Sequence, residues 1–594
     1  MCGIMAYIGK QEAYPILLKG LKKLEYRGYD SSGVAIMNGS LSLLKKEGKV
    51  NDLENFAISK KTSGNIGIGH TRWATHGIPS DSNAHPHQSQ SKRLSIVHNG
   101  IIENHEKLRQ MLTTCGYTFQ SDTDTEVLVQ LIEWLQDKYV LSTKESLARA
   151  LEIVEGSFAI VLFDLNNPTT LLAARRQSPL ALGIGNNCTY ISSDAMPISE
   201  YTSDIIYVED DIIIELDDKG NYGFCDLNLD TVQQQISLVE YESQDSEKGI
   251  YDSYMLKEIH EQPVKAKELI DTNMEFSFDT DIDRIVITAC GSSWHSGLIA
   301  EYLIEKYARV NVEVEYASEF RYRHPVLSSK DLVIGISQSG ETADTIAALK
   351  LAKSNNCKTL AFVNAENCTI SRIVDQAFLL HAGAEIGVAS TKAFTNQVVA
   401  LTKFLVSILN ANNPSLAIEL SDALQSLPAH LERVVNATDI NEIAEVMCEH
   451  SQALFLGRGS MFPVALEGAL KLKEISYIHA GGYAAGEMKH GPIALIDENL
   501  PVIAFCNNDE HLPKVLSNIQ EVKARDGIII VVKSEDVILP KDLADYVIET
   551  PACHSVIAPI VQNIPLQLLA YKVASILNLD VDRPRNLAKS VTVE

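Results

Sequence analysis

The sequence predicts a layered α+β domain with helices outside its sheets, followed by two doubly wound α/β domains with parallel sheets. Three observations carry this prediction. The chain has 594 residues, 45% of them hydrophobic, which is too long for one core and suggests about three or four domains. Its first part consists of short strands separated by polar turns. Its remainder alternates apolar strands, glycine turns and long amphipathic helices.

Composition argues against several classes of protein. The formal net charge of −26 argues against nucleic-acid binding, which usually needs a basic face, although it does not exclude a small anionic substrate. The ten cysteines are scattered without CxxC pairs, so we expect reduced cytosolic thiols and neither disulfides nor a zinc site. No basic, apolar signal segment opens the chain, and the uncharged stretch 555–571 is too short for a bilayer. We therefore expect a cytoplasmic protein without membrane segments, metals or other cofactors.

The first elements lie between Cys2 and about Leu238. The segments 95–98 and 157–163 have the apolar content of strands and are bounded by polar turns. Layered sheets with helices outside them fit this pattern. The polar run 242–249 cannot bury much surface, so we place a domain linker there.

From about Asp281 the pattern changes to strand, turn and helix, and this unit occurs twice. The apolar strand at 284–291 corresponds to the one at 453–457, and the strand at 331–337 corresponds to the one at 500–506. The offsets lie between about 166 and 169 residues, which predicts two tandem copies of one fold. Chance pairing of generic buried strands is the alternative.

The first candidate for chemistry is Cys2. Removal of Met1 would leave this thiol beside its own free α-amine, whose unperturbed pKa of about 7.7–8.0 suits a base near neutral pH. The alternative is a small residue that simply begins a buried strand.

Four further segments in the first half carry residue types that amide hydrolysis needs. These segments are 26–33, 70–77, 98–100 and 121–126. Six histidines, at positions 70, 76, 85, 87, 98 and 105, could instead suggest a metal site, but no acidic or HExxH-type spacing accompanies them. The segment 98–100, His-Asn-Gly, could also be an ordinary hairpin turn.

Together with Cys2, these segments resemble the glutaminase domain of the class II, or N-terminal-nucleophile, amidotransferases, whose αββα sandwich is then the expected fold. The resemblance implies that Cys2 attacks the side-chain amide of glutamine. Asn99 and the Gly100 N–H would stabilise the tetrahedral oxyanion. Arg72 would pair with the α-carboxylate of glutamine, and Asp124 with its α-ammonium group.

The remaining glutamine-binding residues that this resemblance implies are Trp73, Thr75 and His76. In this family the indole of the tryptophan gates an internal passage for ammonia. A dry passage would keep ammonia unprotonated and reactive. Core filler is the alternative role for Trp73.

The second half must indicate what receives the ammonia. Neither a Ser-Gly-Gly-rich pyrophosphate loop, as in asparagine synthetases, nor the diphosphate motif of phosphoribosyl transferases is present. Instead the segment 337–342, Ser-Gln-Ser-Gly-Glu-Thr, follows an apolar strand and precedes a helical run, and 290–293 forms a second glycine turn with hydroxyls. Such groups at a helix start favour an anion such as phosphate, although ordinary helix capping is the alternative.

Three charged residues share a helix face in the second copy. Glu467, Lys471 and Glu474 are spaced i, i+4 and i+7, and apolar residues around them predict a largely buried helix. An acid–base face on a buried helix is costly unless it is used, although a solvated, salt-bridged face would have the same spacing. His490 adds an imidazole in a turn. Lys589 is either a loose end of the polar tail or an imine-forming amine.

These segments, together with 385–392, resemble the paired sugar-isomerase (SIS) domains of the isomerising glutamine:fructose-6-phosphate aminotransferases, also called glucosamine-6-phosphate synthases. The resemblance covers the whole chain, with both halves in the order that this family uses. It implies that Lys589 forms a Schiff base at the ketose carbon. Glu474 would move a proton between C1 and C2 with help from Lys471, and His490 would assist ring opening from the neighbouring subunit. The residues expected to hold the sugar phosphate or line the sugar are Ser293, Ser337, Gln338, Ser339, Thr342, Val388, Ser390 and Ala588.

The resemblance therefore implies an enzyme that makes glucosamine 6-phosphate and glutamate, the first step of hexosamine synthesis. Its expected partners are glutamine, fructose 6-phosphate and a second copy of the chain, in a homodimer or larger oligomer with shared active sites. A related phosphosugar deglycase or isomerase and a phosphosugar-sensing module are the alternatives. The intact amidotransferase residues disfavour the first of these, and the combination of Glu474, Lys471, His490 and Lys589 disfavours the second.

The expected domain boundaries follow from the same reasoning. They are 2–238 for the glutaminase, 239–262 for a linker, 263–425 and 426–579 for the two SIS domains, and 580–594 for a tail that contributes to the sugar site. Two departures from the family pattern are visible. Gly481 and Gly482 stand where a glutamate and an alanine are expected, and Gly-Ser-Ser replaces Gly-Thr-Ser at 291–293. The double glycine could loosen the approach to His490.

Overall fold

The computed structural model describes residues 2–38, 40–60, 62–238, 248–277 and 282–591. Most of these residues form two compact units, one reaching to residue 238 and the other running from 248 to 589. Among the described residues, none of the helices combines the length and the apolar character that crossing a membrane requires.

The amino-terminal unit contains two antiparallel sheets flanked by helices. Its strands are β1 Gly3–Ile8, β2 Ser31–Met37, β3 Leu41–Glu47, β4 Ile66–Arg72, β5 His87–Gln88, β6 Leu94–Ile102, β7 Gly156–Asp164, β8 Asn167–Arg176, β9 Ala181–Gly185, β10 Cys188–Ser192, β11 Asp204–Tyr207, β12 Ile212–Asp217, β13 Tyr222–Cys225 and β14 Ser237–Leu238. Its helices are α1 Ala13–Leu24, α2 Val50–Ala57, α3 His105–Thr114, α4 Asp124–Tyr139 and α5 Thr143–Ile153. The strand orders are β14-β11-β9-β10-β1-β4-β2-β3 and β13-β12-β8-β7-β6-β5.

Alternating side chains place these two sheets face to face. On β1 and β7, Ile4 and Val161 belong to the apolar cluster between the sheets. Their chain neighbours point the other way, because successive side chains of a strand lie on opposite faces. Met5 packs with α1 and α2, and Ile160 packs with α3, α4 and α5. The layers are therefore helix, sheet, sheet and helix, and the expected αββα sandwich is confirmed.

The carboxy-terminal unit contains two parallel sheets. Its strands are β15 Arg284–Ala289, β16 Asn311–Tyr316, β17 Asp331–Ser337, β18 Lys358–Val363, β19 Gln376–Leu379, β20 Gln452–Gly457, β21 His479–Ala484, β22 Pro501–Cys506, β23 Ile528–Ser534 and β24 Tyr546–Thr550. Its helices are α6 Tyr254–Asp271, α7 Ser292–Ala308, α8 Ala317–Phe320, α9 Ala343–Ser354, α10 Thr369–Ile373, α11 Lys392–Asn412, α12 Pro414–Ala437, α13 Asn441–Cys448, α14 Met461–Ser476, α15 Leu512–Lys523 and α16 Ala558–Ile576.

The two parallel sheets have the same topology. Their orders are β16-β15-β17-β18-β19 and β21-β20-β22-β23-β24, so each sheet places its first strand between its second and third. All the pairings in both sheets are parallel. This is the flavodoxin-like order, in which a ligand crevice opens at the carboxyl ends of the first and third strands. The predicted tandem copies are confirmed, and β15 and β17 correspond to β20 and β22 as expected.

One apolar cluster joins the two copies. It contains residues of α7 and α11 from the first copy and of α14 and α16 from the second. Helix α16 includes most of the uncharged stretch 555–571, and most of its apolar residues are buried within the unit. The predicted linker, 239–262, lies partly on residues 239–247, outside the described part of the chain. Helix α6 begins inside this predicted linker, at Tyr254.

Candidate active sites

Cys2 lies directly before β1, an inner strand of the larger antiparallel sheet. Because β1 pairs with β4 with Gly3 opposite Thr71, Cys2 falls opposite Arg72, the last residue of β4, and close to Trp73. The Trp73 N–H donates to Cys2 Sγ at 3.3 Å, and Sγ is 3.5 Å from the Trp73 carbonyl oxygen. Burial raises the pKa of the Cys2 thiol, and the Trp73 backbone and Arg72 only partly offset this effect. The thiol therefore needs a nearby base before it can act as a nucleophile.

The side-chain amide of Asn99, the first predicted oxyanion donor, lies between Cys2 and His70. It lies in β6, and its Nδ2 donates to the Cys2 carbonyl oxygen at 3.0 Å. Nε2 of His70 is 3.1 Å from Asn99 Oδ1 and 2.9 Å from the carbonyl oxygen of His98. Both of these neighbours are acceptors, so Nε2 is the protonated nitrogen and donates to them. This contact turns the amide oxygen towards His70 and leaves the amide nitrogen on the Cys2 side.

Burial keeps the orienting histidine neutral. It lowers the pKa of His70 to about 3, although acceptors at His98 and Asn99 oppose the change. The ring stacks on His85, with centroids 4.0 Å apart. A neutral ring with a fixed tautomer supplies one donor to Asn99 without introducing a charge beside the thiol.

Gly100, the second predicted oxyanion donor, follows Asn99 in the same strand and has a φ of +125°. A Cβ at this position would stand 2.1 Å from the carbonyl oxygen of Ser157 on β7. Only glycine fits both this backbone conformation and this close approach of two strands.

The two residues expected to bind the ends of glutamine are both buried. The Arg72 guanidinium donates to the carbonyl oxygens of the 76–78 segment: Nη2 bonds His76 O and Gly77 O, the latter at 2.9 Å. Asp124 is the first residue of α4, and its Oδ2 accepts from the Ile102 N–H at 2.8 Å. The arginine therefore supports the loop that carries the other predicted glutamine-binding residues.

That loop carries Trp73, Thr75 and His76. The Trp73 ring meets Tyr29 edge-on, with centroids 6.0 Å apart. The ring of His76 meets His105 at 4.5 Å. Thr75 is exposed. The Ala74 N–H donates to Asp30 Oδ2 at 2.8 Å, so a hydrogen bond from this loop to the segment 26–33 helps to hold the loop in place.

Four of the histidines that could have suggested a metal site, His70, His85, His87 and His98, are buried, and burial lowers the pKa of each. Burial holds the pKa of His85 and of His87 well below its usual range. His98 Nδ1 is 2.9 Å from Thr125 Oγ1, and Thr123 Oγ1 is 3.2 Å from His87 Nε2. Within the described ranges, no group of three or more His, Cys, Asp or Glu residues has an arrangement that could hold a metal ion.

The predicted phosphate loop connects β17 to α9 in the first SIS copy. Ser337 Oγ is 2.8 Å from Thr342 Oγ1 and accepts from the Gly340 N–H at 3.0 Å, while Ser339 Oγ accepts from the Glu341 N–H at 3.2 Å. Three hydroxyls thus gather at the start of a 12-residue helix, where N–H groups and the helix dipole favour an anion. The backbone carbonyl of Gln338 accepts from the Asn364 N–H and so holds the loop to the next strand.

The charged face predicted on α14 is buried and faces the first copy. Lys471 Nζ lies 2.6 Å from Glu474 Oε2 and 3.5 Å from Glu467 Oε1. Burial opposes the charge on Lys471, but the two carboxylates raise its pKa above the usual value. Glu467 also accepts from Ser292 Oγ at 2.9 Å and contacts His295 Nδ1 at 2.7 Å. Contacts with both copies thus hold Glu467 and Lys471 in place.

Lys589 is anchored in the first copy. Its Nζ donates to Glu385 Oε2 and, at 2.8 Å, to the Gly387 carbonyl oxygen, and its side chain is 4% exposed. Ser390 Oγ donates to the same Glu385 oxygen at 3.3 Å. The Val388 N–H donates to the carbonyl oxygen of Asp582, which ties this loop to the tail. The structure therefore brings Lys589, Val388 and Ser390 together.

Glu258, which sequence reasoning missed, supports that loop from α6. Its Oε1 accepts from the Ile386 N–H at 2.5 Å and the Gly387 N–H at 3.1 Å. Its Oε2 is buried without a hydrogen-bond partner in the described part of the chain. Burial and the neighbouring Glu385 raise the pKa of Glu258 to about 8, with Lys589 and Lys392 opposing the change. It is thus a neutral carboxylic acid next to a charged pair.

Three other predicted positions are less well connected. His490 is exposed at the end of a short 3-10 helix, and none of its described contacts involves the other predicted sugar-site residues. Ala588 is half-buried beside Lys589. Ser293 Oγ accepts from Gln397 Nε2 at 2.9 Å.

At the position where the sequence departs from the family pattern, a Cβ on Gly482 would come within 2.7 Å of Leu466 Cα. This glycine therefore allows β21 to lie close against α14.

Other supporting residues missed by sequence reasoning are Glu385, Ser292 and His295. Glu385 was part of a recognised segment, but no spacing rule pairs it with a lysine 204 residues away. Ser292 and His295 meet Glu467 only because two separate sheets pack together. In the sequence, Ser292 and His295 are visible only as polar residues near the start of a predicted helix. Ordinary helix capping explains such residues equally well.

Comparisons with known proteins agree with this arrangement. The glutamine amidotransferase domain family matches residues 70–200, and the SIS domain family matches residues 280–407 and 446–577. The glutamine–fructose-6-phosphate aminotransferase (isomerizing) of Bacteroides thetaiotaomicron is 47% identical over 616 residues, covering all of both chains. The chain belongs to this family. The Chlorobaculum tepidum enzyme of the same name is 46% identical over 617 residues, again covering all of both chains.

A solved structure of a family member resembles the carboxy-terminal half of this chain. The C-terminal domain of glucosamine-fructose-6-phosphate aminotransferase from Francisella tularensis aligns with a TM-score of 0.53 and 43% sequence identity. The alignment covers 57% of this chain and 100% of that one. The expected family and fold class are confirmed, while the residue roles and the domain boundaries stay predictions.

Proposed function

We propose that the chain hydrolyses glutamine and transfers the released ammonia to fructose 6-phosphate, giving glucosamine 6-phosphate and glutamate. One observation carries the proposal: a single chain holds a thiol with an oriented amide donor and, in another unit, a buried lysine beside a carboxylate. The first set suits amide cleavage, and the second suits imine chemistry on a ketose. The chain's full-length family membership supports joining them in one reaction.

The amino-terminal half would act by nucleophilic catalysis. With Met1 removed, the α-amine of Cys2 accepts the thiol proton, and the thiolate attacks the side-chain carbonyl carbon of glutamine. Asn99 Nδ2 and the Gly100 N–H stabilise the oxyanion, and each such donor is typically worth about 3–4 kcal/mol. The intermediate collapses, ammonia leaves with the proton held by the amine, and water hydrolyses the thioester to glutamate.

Glutamine would be held by its two charged ends. Asp124 is buried near Cys2 and suits the α-ammonium group, and Arg72 suits the α-carboxylate. Because Arg72 donates to the 76–78 carbonyls, binding of the carboxylate would also tighten the loop that carries Trp73, Thr75 and His76.

The carboxy-terminal half would act by imine formation. Ser337, Ser339 and Thr342 hold the phosphate, and Lys589 attacks the C2 carbonyl of the open-chain ketose and releases water. Ammonia then attacks C2 and displaces the lysine.

Isomerisation would complete the amino sugar. Glu474 takes a proton from C1 and returns it to C2, which leaves an aldehyde at C1 and an amine at C2. Lys471 lies 2.6 Å from Glu474 and stabilises the carboxylate form that accepts the proton from C1 and that is restored after the proton is delivered to C2. Gln338, Ser293, Val388, Ser390 and Ala588 would complete the sugar pocket.

The proposal includes a cytoplasmic homodimer in which His490 opens the sugar ring in the partner's site. The exposed position of His490, away from the other sugar-site residues of its own chain, fits such a role. It also includes an internal passage for ammonia gated by Trp73, and the domain boundaries given in the sequence analysis.

The test is a product assay with the purified full chain, glutamine and fructose 6-phosphate, with intact-mass measurement of the same sample. We expect glucosamine 6-phosphate and glutamate in equal amounts and a mass that lacks Met1. Full activity with Met1 retained, or glutamate without amino sugar, would contradict the proposal.

A further inference from the structure

The second SIS copy contains a cavity of about 300 Å³ at the carboxyl end of its sheet. Ser460, just after β20, and Asn507, just after β22, contribute to its wall. These two loops correspond to 290–293 and 337–342 in the first copy, where the sugar phosphate is proposed to bind. The cavity therefore occupies the topological switch point at which open parallel sheets bind ligands.

The opposite wall of the cavity comes from the first copy. Tyr302, Lys306 and Tyr307 of α7 line it. In the other direction, α14 sends Glu467 to Ser292 and His295 of the first copy. Each copy thus contributes the helix after its first strand to the crevice of the other. The cavity is the pseudo-symmetric counterpart of the proposed catalytic sugar site.

The chemistry of the two crevices differs at the phosphate loop. Cys506 ends β22, and Asn508 and His511 follow it, where the first copy has the clustered hydroxyls of Ser337, Ser339 and Thr342. The carboxylates of Asp509 and Asp536 line the cavity. Hydrogen bonds from Ser534 and Asn508 hold the pKa of Asp536 below its usual range. Negative charge of this kind repels a phosphate group.

The positive charge of Lys306, which also lines the cavity, does not neutralise the carboxylates of Asp509 and Asp536. Lys306 Nζ lies 3.1 Å from Glu510 Oε1, so its charge is paired. The remaining groups suit a polyol that carries an amine. Carboxylates accept hydrogen bonds from hydroxyls and ammonium groups, and the tyrosine rings offer apolar faces to a sugar ring.

One polar group at the wall lacks a partner. Asn507 accepts from Gln562 Nε2 at 2.5 Å, but its own Nδ2 has no hydrogen-bond partner in the described part of the chain. The volume is at the lower end of the range for ligand pockets, which matches a monosaccharide.

We propose that this cavity is a second sugar site, specific for an unphosphorylated amino hexose. The assignment of phosphosugars to the first copy rests on the proposed function, whereas the second site depends on its own carboxylates and aromatic rings. The two crevices would then sort sugars by charge, with anionic sugars in the first and cationic sugars in the second.

The test is a calorimetric titration of D-glucosamine into the full-length protein, with saturating fructose 6-phosphate and no glutamine, so that the catalytic sugar site is filled. We expect one D-glucosamine per chain. Asp509→Asn, which keeps the acceptor for the His511 N–H, should weaken binding at least tenfold, and Tyr302→Ala should also weaken it. The matched control Asp542→Asn, an exposed carboxylate outside the cavity, should bind as wild type does.

Three results would overturn the second site. They are no D-glucosamine binding in the presence of fructose 6-phosphate, unchanged affinity in Asp509→Asn, and equal binding of glucosamine 6-phosphate at this site. If the proposed function is wrong, amino-sugar synthesis will be absent from the product assay. D-glucosamine would then still bind in the calorimetric titration, and Asp509→Asn would still weaken that binding. Both cavity variants and the Asp542→Asn control should retain wild-type KM for fructose 6-phosphate.

Discussion

A single buried histidine sets the direction of the proposed oxyanion donor. The side-chain amide of Asn99 has an oxygen that accepts hydrogen bonds and a nitrogen that donates them. The contact between His70 Nε2 and Asn99 Oδ1 decides which of the two atoms faces Cys2. Because burial keeps His70 neutral, its tautomer is fixed by the two acceptors it faces. Residues of this kind touch no substrate, yet they determine whether a catalytic group is aligned.

Removing the Asn99 amide should lower kcat of glutamine hydrolysis about 10²–10³-fold, the usual effect of one oxyanion donor. His70→Phe keeps a ring to stack on His85 but loses the donor, and should cost about tenfold in kcat, the worth of one hydrogen bond. KM for glutamine should change little. His87→Phe is the control, since His87 also contacts His85 but has no described contact with Asn99. Equal effects of His70→Phe and His87→Phe would contradict the orienting role.

The neutral Glu258 predicts a pH dependence of stability. Its pKa is raised to about 8 in the folded chain, against about 4.3 in an unfolded one. Between these values the folded state binds one proton more than the unfolded state, so this group's contribution to stability falls as pH rises from about 4 to about 8. Glu258→Gln keeps an acceptor for the two N–H groups and cannot ionise.

We therefore expect Glu258→Gln to raise the thermal midpoint relative to wild type more at pH 8 than at pH 5. Calorimetry of both proteins at the two values measures this difference. A shift between variant and wild type that is the same at pH 5 and pH 8 would show that Glu258 is not neutral in the folded chain.

At the scale of elements, strand and helix periodicity explains how much of the site the sequence could predict. Glu467, Lys471 and Glu474 were predicted to share a face because helix spacing is local, and α14 brings them together. The phosphate loop was predicted from one strand and one helix start. Glu258 and Glu385 were missed because their partners lie on other elements. Long-range pairing depends on how sheets and helices pack, which one sequence does not reveal.

Strand β6 offers a test of one such long-range fit. Gly100→Ala would place a methyl group 2.1 Å from the Ser157 carbonyl oxygen on β7, at a φ of +125°. Gly116→Ala is a matched control, since this glycine also has positive φ but open space around it. We expect the control to cost about 1 kcal/mol of stability from backbone strain alone, and Gly100→Ala to cost more.

Gly100→Ala should also abolish glutaminase activity while fructose 6-phosphate isomerisation remains. Urea unfolding and the two activity assays measure these effects. Similar stability and activity of the two variants would show that close packing of β6 against β7 does not constrain the oxyanion donor.

The whole molecule separates two kinds of chemistry into two compact units. The thiol and the residues proposed to stabilise the oxyanion and bind glutamine lie in the αββα unit, and the proposed phosphate loop, the charged helix α14 and Lys589 lie in the paired SIS unit. Sequence analysis predicted this division because the periodicity of the chain changes near residue 281. The tandem copies were predictable for the same reason, while the cavity in the second copy emerged only from the way the copies pack.

Lys589→Ala should stop amino-sugar formation and leave measurable glutaminase activity. Lys589→Arg is the structural control, because arginine preserves the charge opposite Glu385 but does not form an imine. Both variants should therefore lack synthesis, while the arginine variant should keep wild-type thermal stability. Synthesis of glucosamine 6-phosphate by either variant would contradict an imine at this lysine.

The most direct test of two separate sites uses Cys2→Ala in two parallel assays. One assay follows glutamine-dependent synthesis of glucosamine 6-phosphate, and the other follows conversion of fructose 6-phosphate to glucose 6-phosphate without glutamine. The first activity should disappear and the second should persist near the wild-type rate, because the thiol has no part in proton transfer on the sugar. Equal loss of both activities, or synthesis that survives without the thiol, would contradict the account.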